Sequence, residues 1–183
     1  MIVAQWALTV VPARRTVAAM TATPTFDGTG AFASATDAET FELGDAMLQL
    51  LLDASHTGGA LSAHRCRLPK GTVGANPHQH LTASELFYVL SGEADLLAGT
   101  RLIRAREGDL VVVPPTSAHA FAAAPDHHAE LLVVITPGIE RFGFFRDLVR
   151  VRAGDLDMAT FMASQADYDT YPADGGPWSG LSQ

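Results

Sequence analysis

Between about residue 40 and residue 136, short apolar or alternating runs are separated by glycine, proline, aspartate and asparagine. Runs of this length with turn residues between them are typical of β-strands. We predict strands over residues 46–52, 60–68, 85–90, 94–97, 101–105, 110–113, 118–122 and 130–136. Turn signals at residues 69–74, 91–92 and 114–117 separate several of them. Because no helical run interrupts the series, the pattern predicts an antiparallel sandwich or small barrel.

The period of the apolar positions changes after residue 138. Aromatic and aliphatic side chains then recur at a spacing of three to four residues, which predicts a short amphipathic helix over residues 142–149. Asp155 is a candidate cap for a second helix that ends near residue 164. We therefore expect a helical appendage that packs on the barrel.

These patterns divide the chain into an N-terminal arm (1–38), a barrel (39–139) and a C-terminal helical appendage with a tail (140–183). No positive charge precedes the apolar run in residues 1–19, and Arg14 and Arg15 follow it, which does not fit a signal peptide. We expect this stretch to be a loose arm or a non-native extension, with Met20 as an alternative start. The same absence of a signal favours the cytoplasm.

Composition and charge narrow the class of protein. The 183 residues are 48% hydrophobic and 17% charged, which suits one domain with a sizeable core. A formal net charge of −8 and a single lysine, Lys70, argue against a nucleic-acid surface. Cys66 is the sole cysteine, so an intrachain disulfide is excluded. No apolar run approaches the roughly 20 residues that span a bilayer, so we expect no membrane partner.

Two histidines one residue apart are the first candidate for chemistry. His78 and His80 would point to one face of a strand, because side chains alternate along it. Glu85 leads the next predicted strand and shares its face with Phe87 and Val89. A carboxylate on such an inward face is costly without a partner. A divalent cation would satisfy both the carboxylate and the imidazoles, so these residues are predicted metal ligands.

A third histidine extends this set. His119 follows the turn at residues 114–117 and shares a strand face with Phe121. Either Val111 or Val112 also points inward, so the expected surroundings of the metal are apolar. A dry pocket beside a metal suits an organic substrate.

The other histidines have less specific interpretations. His64 shares a face with Cys66 and is either a satisfied core histidine or a residue that lines the cavity. His127 and His128 lie in a turn and are expected to be solvated. The alternative for the whole set is a barrel that keeps its fold without a metal, although such a barrel would usually lose a ligand.

Two linked motifs resemble those of the cupin superfamily. They are His78-x-His80-x4-Glu85-x6-Gly92 and Gly108-x5-Pro114-x4-His119. Three positions depart from the family pattern. The leading glycine comes one position early, as Gly71, Thr116 replaces an expected glycine, and Ala123 replaces an expected asparagine. The departures affect turn geometry and leave the ligand positions intact.

The resemblance implies an all-β fold, the antiparallel double-stranded β-helix or cupin jelly-roll barrel, with short C-terminal helices and an N-terminal arm. It implies that His78, His80, Glu85 and His119 hold one divalent transition metal, namely Fe, Mn, Ni, Co or Zn. It also implies a homodimer, for which the segment 26–33 is a candidate contact.

Cupins with this ligand set include the quercetinase-like dioxygenases, and a single barrel followed by a C-terminal helix is similar to the small one-domain members. They imply a phenolic, flavonol-like or enolisable small molecule as substrate, with Glu85 as the catalytic base. The substrate pocket would then include His64, Phe87, Val89 and Phe121. Two alternatives are a non-redox metal-dependent cyclase or isomerase of polyketide-type substrates, and a small-molecule-binding cupin without turnover.

Overall fold

A computed structural model describes residues 14–16 and 28–180 of the chain. The strands are β1 (Arg14–Thr16), β2 (Glu39–Leu43), β3 (Ala46–Leu52), β4 (Ser62–Leu68), β5 (Val73–Gln79), β6 (Ser84–Ala98), β7 (Arg101–Arg106), β8 (Leu110–Val113), β9 (His119–Ala123), β10 (Ala129–Thr136) and β11 (Tyr171–Pro172). The helices are α1 (Phe142–Ala153) and α2 (Met158–Ala163), with 3-10 turns at Ala54–Thr57, Gln165–Tyr168 and Gly176–Gly180. Met20, most of the stretch 1–19 and the start of the segment 26–33 lie outside the described residues.

The strands form an antiparallel sheet that folds into a barrel. Its order is β1-β2-β3-β4-β10-β6-β9-β5-β11, and β7 and β8 also pair with β6. The first half of β6 pairs with β10 and β8, whereas its second half pairs with β7 and β9. One long strand therefore connects the two faces of the barrel. The predicted all-β fold with short C-terminal helices is confirmed.

The predicted turn at residues 91–92 is wrong, because β6 continues through it. Gly92 has a φ of +76°, and a Cβ there would lie 1.9 Å from the carbonyl oxygen of His128. The register of the pairing with β10 shifts at this point, between Glu130 and Leu131. Gly92 therefore marks a β-bulge, which bends a strand without ending it. A serine followed by a glycine is as typical of a turn as of a β-bulge, so the local sequence does not distinguish these two structures.

Strand β5 was missed in part, since residues 69–74 were interpreted as a turn. Its sequence, VGANPHQ, has no apolar alternation, and Pro77 lies within it. β5 pairs with β9 in an irregular register, including His78 opposite His119. The placement of His78 on a strand is nevertheless confirmed. The pattern also does not predict β1, β2 or β11.

The C-terminal helices follow the predicted order, but the second cap is different. Helix α1 begins at Phe142 and ends at Ala153, and its C-cap is Gly154, whose φ is +79°. The N–H of Asp155 donates to the carbonyl of Arg150, so Asp155 belongs to the end of α1. The N-cap of α2 is Asp157, whose carboxylate accepts a hydrogen bond from Thr160 N at 2.9 Å. The prediction of Asp155 as a cap is wrong.

Helix α1 packs its aromatic face on the mouth of the barrel. Phe142, Phe144 and Phe145 are all buried in the main core. The carboxylate of Asp53 accepts hydrogen bonds from the N–H groups of Arg141 at 2.6 Å and Phe142 at 3.1 Å. These N–H groups have no partner within the helix, so Asp53 caps α1 from the barrel and fixes its position.

Burial shows which of two valines points inward and where the sole cysteine lies. Val111 is buried whereas Val112 is 52% exposed, so Val111 is the inward residue. Cys66 is buried and free, as expected for a small apolar residue of the core. Burial also raises the pKa of its thiol to about 12.

In the part of the chain that the structure describes, no helix is both long and apolar enough to cross a bilayer. The cytoplasmic location and the boundaries between arm, barrel and appendage stay predictions.

Candidate metal centre

Four side chains from three strands and one loop converge inside the barrel. His78 lies on β5, His80 follows its end, Glu85 lies at the start of β6 and His119 begins β9. One nitrogen or oxygen of each lies within 4.8 Å of those of the other three. His80, Glu85 and His119 are at most 3% exposed. The structure thus brings together all four of the residues that the sequence predicted as ligands.

The imidazoles surround one carboxylate oxygen. The distances from Oε2 of Glu85 to the Nε2 atoms are 2.7 Å for His119, 3.2 Å for His80 and 4.0 Å for His78. The three rings lie close together, with 4.2 Å between the centroids of His78 and His119. Nε2 is therefore the atom that each histidine presents to the centre.

A backbone carbonyl orients each ring from the opposite side. Nδ1 of His78 lies 2.8 Å from the carbonyl oxygen of Asn76, and Nδ1 of His119 lies 2.9 Å from that of Ser117. Nδ1 of His80 lies 2.5 Å from the carbonyl oxygen of Asp169. Since a carbonyl only accepts, each Nδ1 carries the proton and each Nε2 exposes a lone pair.

This arrangement fits a cation. Three lone pairs and a carboxylate face one another. Nε2 of His119 is buried and lies 2.7 Å from Oε2 of Glu85, yet it forms no hydrogen bond of acceptable geometry within the described part of the chain. Buried acceptors that face one another are unfavourable unless a proton or a metal lies among them. Imidazole nitrogens and a carboxylate are ligands for Fe, Mn, Ni, Co and Zn. The cluster could therefore hold such an ion, whose identity the geometry leaves open.

The charges in the cluster agree with this interpretation. Burial acts to raise the pKa of Glu85, but its contacts with His119 and His80 outweigh burial and hold that pKa well below its usual range. Burial, together with the neighbouring His119, lowers the pKa of His78 to about 3. Burial opposes protonation of His119, yet the contact with Glu85 raises its pKa. Glu85 is thus ionised and attracts a positive charge into the centre, which a proton on His119 or a metal can supply.

Asp169 is a residue of this centre that the sequence did not indicate. Besides its carbonyl contact with His80, its carboxylate accepts hydrogen bonds from Leu81 N at 2.9 Å and Thr82 N at 2.9 Å. The Thr82 hydroxyl donates to the same carboxylate at 2.6 Å. The C-terminal appendage therefore holds the loop that carries His80. No periodicity or motif in the sequence marked Asp169.

Thr116 occupies the position at which the family pattern has glycine. Its φ is +65°, a left-handed conformation that a β-branched residue rarely adopts. Its N–H donates to the carbonyl of His80 at 2.6 Å. The turn conformation is thus kept despite the departure, and it supports the same loop.

A cavity of about 170 Å³ adjoins the cluster between the barrel and α1. His78, Glu85, His64 and Phe121 line it, so two of the predicted pocket residues lie at its wall. Phe87 and Val89 are fully buried and are not among the residues that line it. Phe87 packs behind the wall instead, with its ring 5.3 Å from that of Phe121.

Of the remaining histidines, one is buried at the cavity and two are exposed. His64 is buried, lines the cavity and packs 4.6 Å from the ring of Phe145. Burial lowers its pKa to about 4, so it is neutral near pH 7. His127 and His128 are exposed, as predicted.

Residues 64–135 match the family model described as the cupin domain. This segment contains the four side chains of the cluster. The match and the barrel architecture together support placing this chain in the cupin superfamily. A comparison with curated protein sequences found no match.

Solved structures of similar fold include KdgF from Halomonas sp., with a TM-score of 0.51 and 21% identity, over 60% of this chain and 94% of that one. Streptomyces PAC13 with uridine has a TM-score of 0.49 and 17% identity, over 62% and 86% of the two chains. The polyketide cyclase RemF from Streptomyces resistomycificus has a TM-score of 0.47 and 20% identity, over 57% and 77%. At 21% identity, the likeness to KdgF establishes a shared fold and no shared activity.

Proposed function

We propose that this protein is a metal-dependent dioxygenase that acts on a phenolic, flavonol-like or enolisable small molecule. His78, His80, Glu85 and His119 would hold one divalent transition metal. The observation that carries the proposal is the convergence of three Nε2 lone pairs and one carboxylate within 4.8 Å, beside a cavity.

A metal that takes five or six ligands would keep open positions in this centre, which favours a catalytic role over a structural one. Fe, Mn, Ni and Co commonly take five or six ligands, so one or two positions would remain for other molecules. A metal bound there would supply a Lewis acid and, if redox-active, a centre for the reaction with dioxygen. The cavity reaches His78 and Glu85, so a substrate within it would lie beside the cluster.

Besides the metal, the proposed reaction needs a base and a pocket that excludes water, and residues of this protein would supply both. Glu85 is the proposed base, because its ionised carboxylate can accept the proton of a phenol or enol at the cavity wall. Phe121, Phe145 and Leu148 provide an apolar wall that excludes water. Exclusion of water strengthens the electrostatic interactions of the bound anion.

Oxygen uptake with a flavonol and a panel of enols tests the proposal, after elemental analysis of protein purified without added metal. We expect uptake in proportion to the metal content. The His119→Ala variant should lose both metal and uptake, whereas His127→Ala, which alters an exposed histidine, should retain them.

The other outcomes would favour the alternatives. Bound zinc, with substrate conversion but no oxygen uptake, would indicate the non-redox cyclase or isomerase. Ligand binding without any turnover would indicate a binding protein.

The chain is also proposed to form a homodimer, an expectation from the family resemblance. Sedimentation velocity of the metal-loaded protein tests this proposal. A single species with the mass of one chain would contradict it.

A further inference from the structure

Arg141 is a buried cation beside the candidate metal centre. It is 5% exposed and lines the same cavity as His78 and Glu85. Arginine stays protonated in proteins, so the cavity wall carries a permanent positive charge. A buried charge requires a partner of opposite charge or a full set of hydrogen bonds, and the contacts of Arg141 supply neither completely.

The hydrogen bonds of the Arg141 side chain go to uncharged acceptors and use only one nitrogen of the guanidinium. Nη1 donates to the carbonyl of Tyr168 at 3.2 Å and to the hydroxyl of Thr170 at 2.6 Å. The guanidinium carbon lies 4.4 Å from the ring centroid of Phe144, which fixes the plane of the group. In the described part of the chain, Nε is buried without a hydrogen-bond partner.

No carboxylate of the described residues pairs with this guanidinium within the 4.0 Å of an ion pair. Asp53 contacts the main-chain N–H of Arg141 and not its side chain. Arg146, one turn further along α1, shows the contrast, because it forms an ion pair with Glu39 at 2.6 Å. The structure thus supplies a counter-charge to the outer arginine and leaves the one in the cavity without a paired anion.

A second donor without a partner lines the same cavity. Nε2 of Gln165 is buried and has no hydrogen-bond partner among the described residues. Gln165 and Arg141 come from different parts of the chain, and both line the cavity that His78 and Glu85 also line. Two unpaired donors at one cavity indicate a ligand that brings acceptors.

The rest of the wall is apolar. Phe121, Phe145 and Leu148 line this cavity and also an adjoining one of about 310 Å³. A ligand with an anionic group at one end and an apolar body would match both surfaces. Arginine binds carboxylates well because its planar donors match two oxygens at once.

We propose that Arg141 and Gln165 bind a carboxylate of the substrate, and hold its phenolic or enolic group toward His78 and Glu85. This inference rests on the proposed function and adds the class of substrate, a small aromatic or enolic carboxylic acid. Arg141 is then a substrate-binding residue. Loss of a hydrogen bond to a charged group lowers affinity by about tenfold to a hundredfold.

The test compares salicylate with salicylamide, which differ little in shape and differ in charge. Both dissociation constants are measured by calorimetry on protein loaded with Co²⁺, with the metal content of each variant determined. We expect the wild-type protein to prefer salicylate. Arg141→Met should lose about tenfold or more of that preference while it keeps the metal.

Three further variants make the result decisive. Arg146→Gln removes an arginine from the same helix but outside this cavity, so it should keep the preference. Gln165→Leu should lose several-fold of it. If Arg141→Met fails to fold, Arg141→Lys keeps the charge without the planar fork and should give an intermediate preference.

The outcomes separate this inference from the proposed function. A full preference for salicylate in metal-loaded Arg141→Met, or in both Arg141→Lys and Gln165→Leu, would overturn the inference, as would no measurable binding of salicylate to the wild-type protein. A wild-type protein that binds no Co²⁺ refutes the metal centre instead. The preference is then measured in the metal-free protein, where the same loss in the variants would still support the role of Arg141.

Discussion

The contact between the C-terminal appendage and the His80 loop makes a quantitative prediction. Asp169 has a φ of +49° and accepts three hydrogen bonds from Leu81 and Thr82. These bonds lie near the surface, so each contributes less than a buried charged bond, about 0.5–1 kcal/mol. Their loss together should lower the free energy of unfolding by about 2 kcal/mol. For a domain of this size, that is a decrease of about 4–8 °C in Tm.

The variant Asp169→Asn tests the carboxylate alone, because asparagine tolerates a positive φ. Asp169→Ala adds the cost of the left-handed backbone and should be less stable, whereas Asp169→Gly removes the side chain without that cost. The side-chain contacts of Asp169 with Leu81 and Thr82 hold its backbone carbonyl against His80. Their loss in Asp169→Ala should therefore lower metal affinity about tenfold to a hundredfold.

Calorimetric melting and competition with a metal chelator measure the two effects. Asp167→Asn is the matched control, since this exposed carboxylate lies in the same 3-10 turn and contacts no residue of the His80 loop. Unchanged melting temperature and metal affinity in Asp169→Ala would show that the appendage does not hold the metal loop. An equal loss in Asp167→Asn would show that surface charge, and not the contact, is responsible.

Three further predictions concern the cluster and its supports. His78→Ala and His119→Ala should each sharply lower the metal stoichiometry measured by elemental analysis, and full metal in both would refute the ligand assignment. Burial raises the pKa of Asp53 from its ordinary 3.8 to about 6, so the stability it contributes is complete below pH 3.8 and is lost as pH rises through 6. Chemical denaturation should therefore show that Asp53→Asn costs about 1–2 kcal/mol less at about pH 8 than at about pH 5, and equal costs would contradict the shift. Thr116→Gly should stabilise the protein by about 0.5–1 kcal/mol, because relief of left-handed strain exceeds the added entropy of the unfolded chain; a lower Tm would count against strain at this turn.

The ligand cluster is the part of the site that local sequence largely predicted. His78 and His80 are two positions apart on one strand, and side chains at that spacing share a face whatever the rest of the fold is. Glu85 begins the next strand, and its burial beside apolar neighbours already required a positive partner. His119 was found through the turn before it and the family resemblance.

The strands are predicted best where their sequence is an almost unbroken apolar run. Residues 46–52 and 110–113 coincide with β3 and β8, because apolar and β-branched residues mark them. Only part of β5 is predicted, because small residues, a proline and polar residues mix along it and all are half-buried, so no alternation is visible. The bend of β6 at Gly92 depends on the approach of His128, which no local pattern contains.

The chain by itself determined the all-β class, the order of its helices and the histidines and glutamate that could bind a metal, because strand periodicity and ligand spacing act over a few residues. Only the tertiary structure placed Asp53, Asp169 and Arg141. Asp53 and Asp169 reach partners more than 80 positions away in the chain, and Arg141 lines one cavity with His78 and Glu85, which are distant from it in sequence. Contacts over such separations arise when the barrel closes and α1 packs across its mouth, and periodicity carries no information about them.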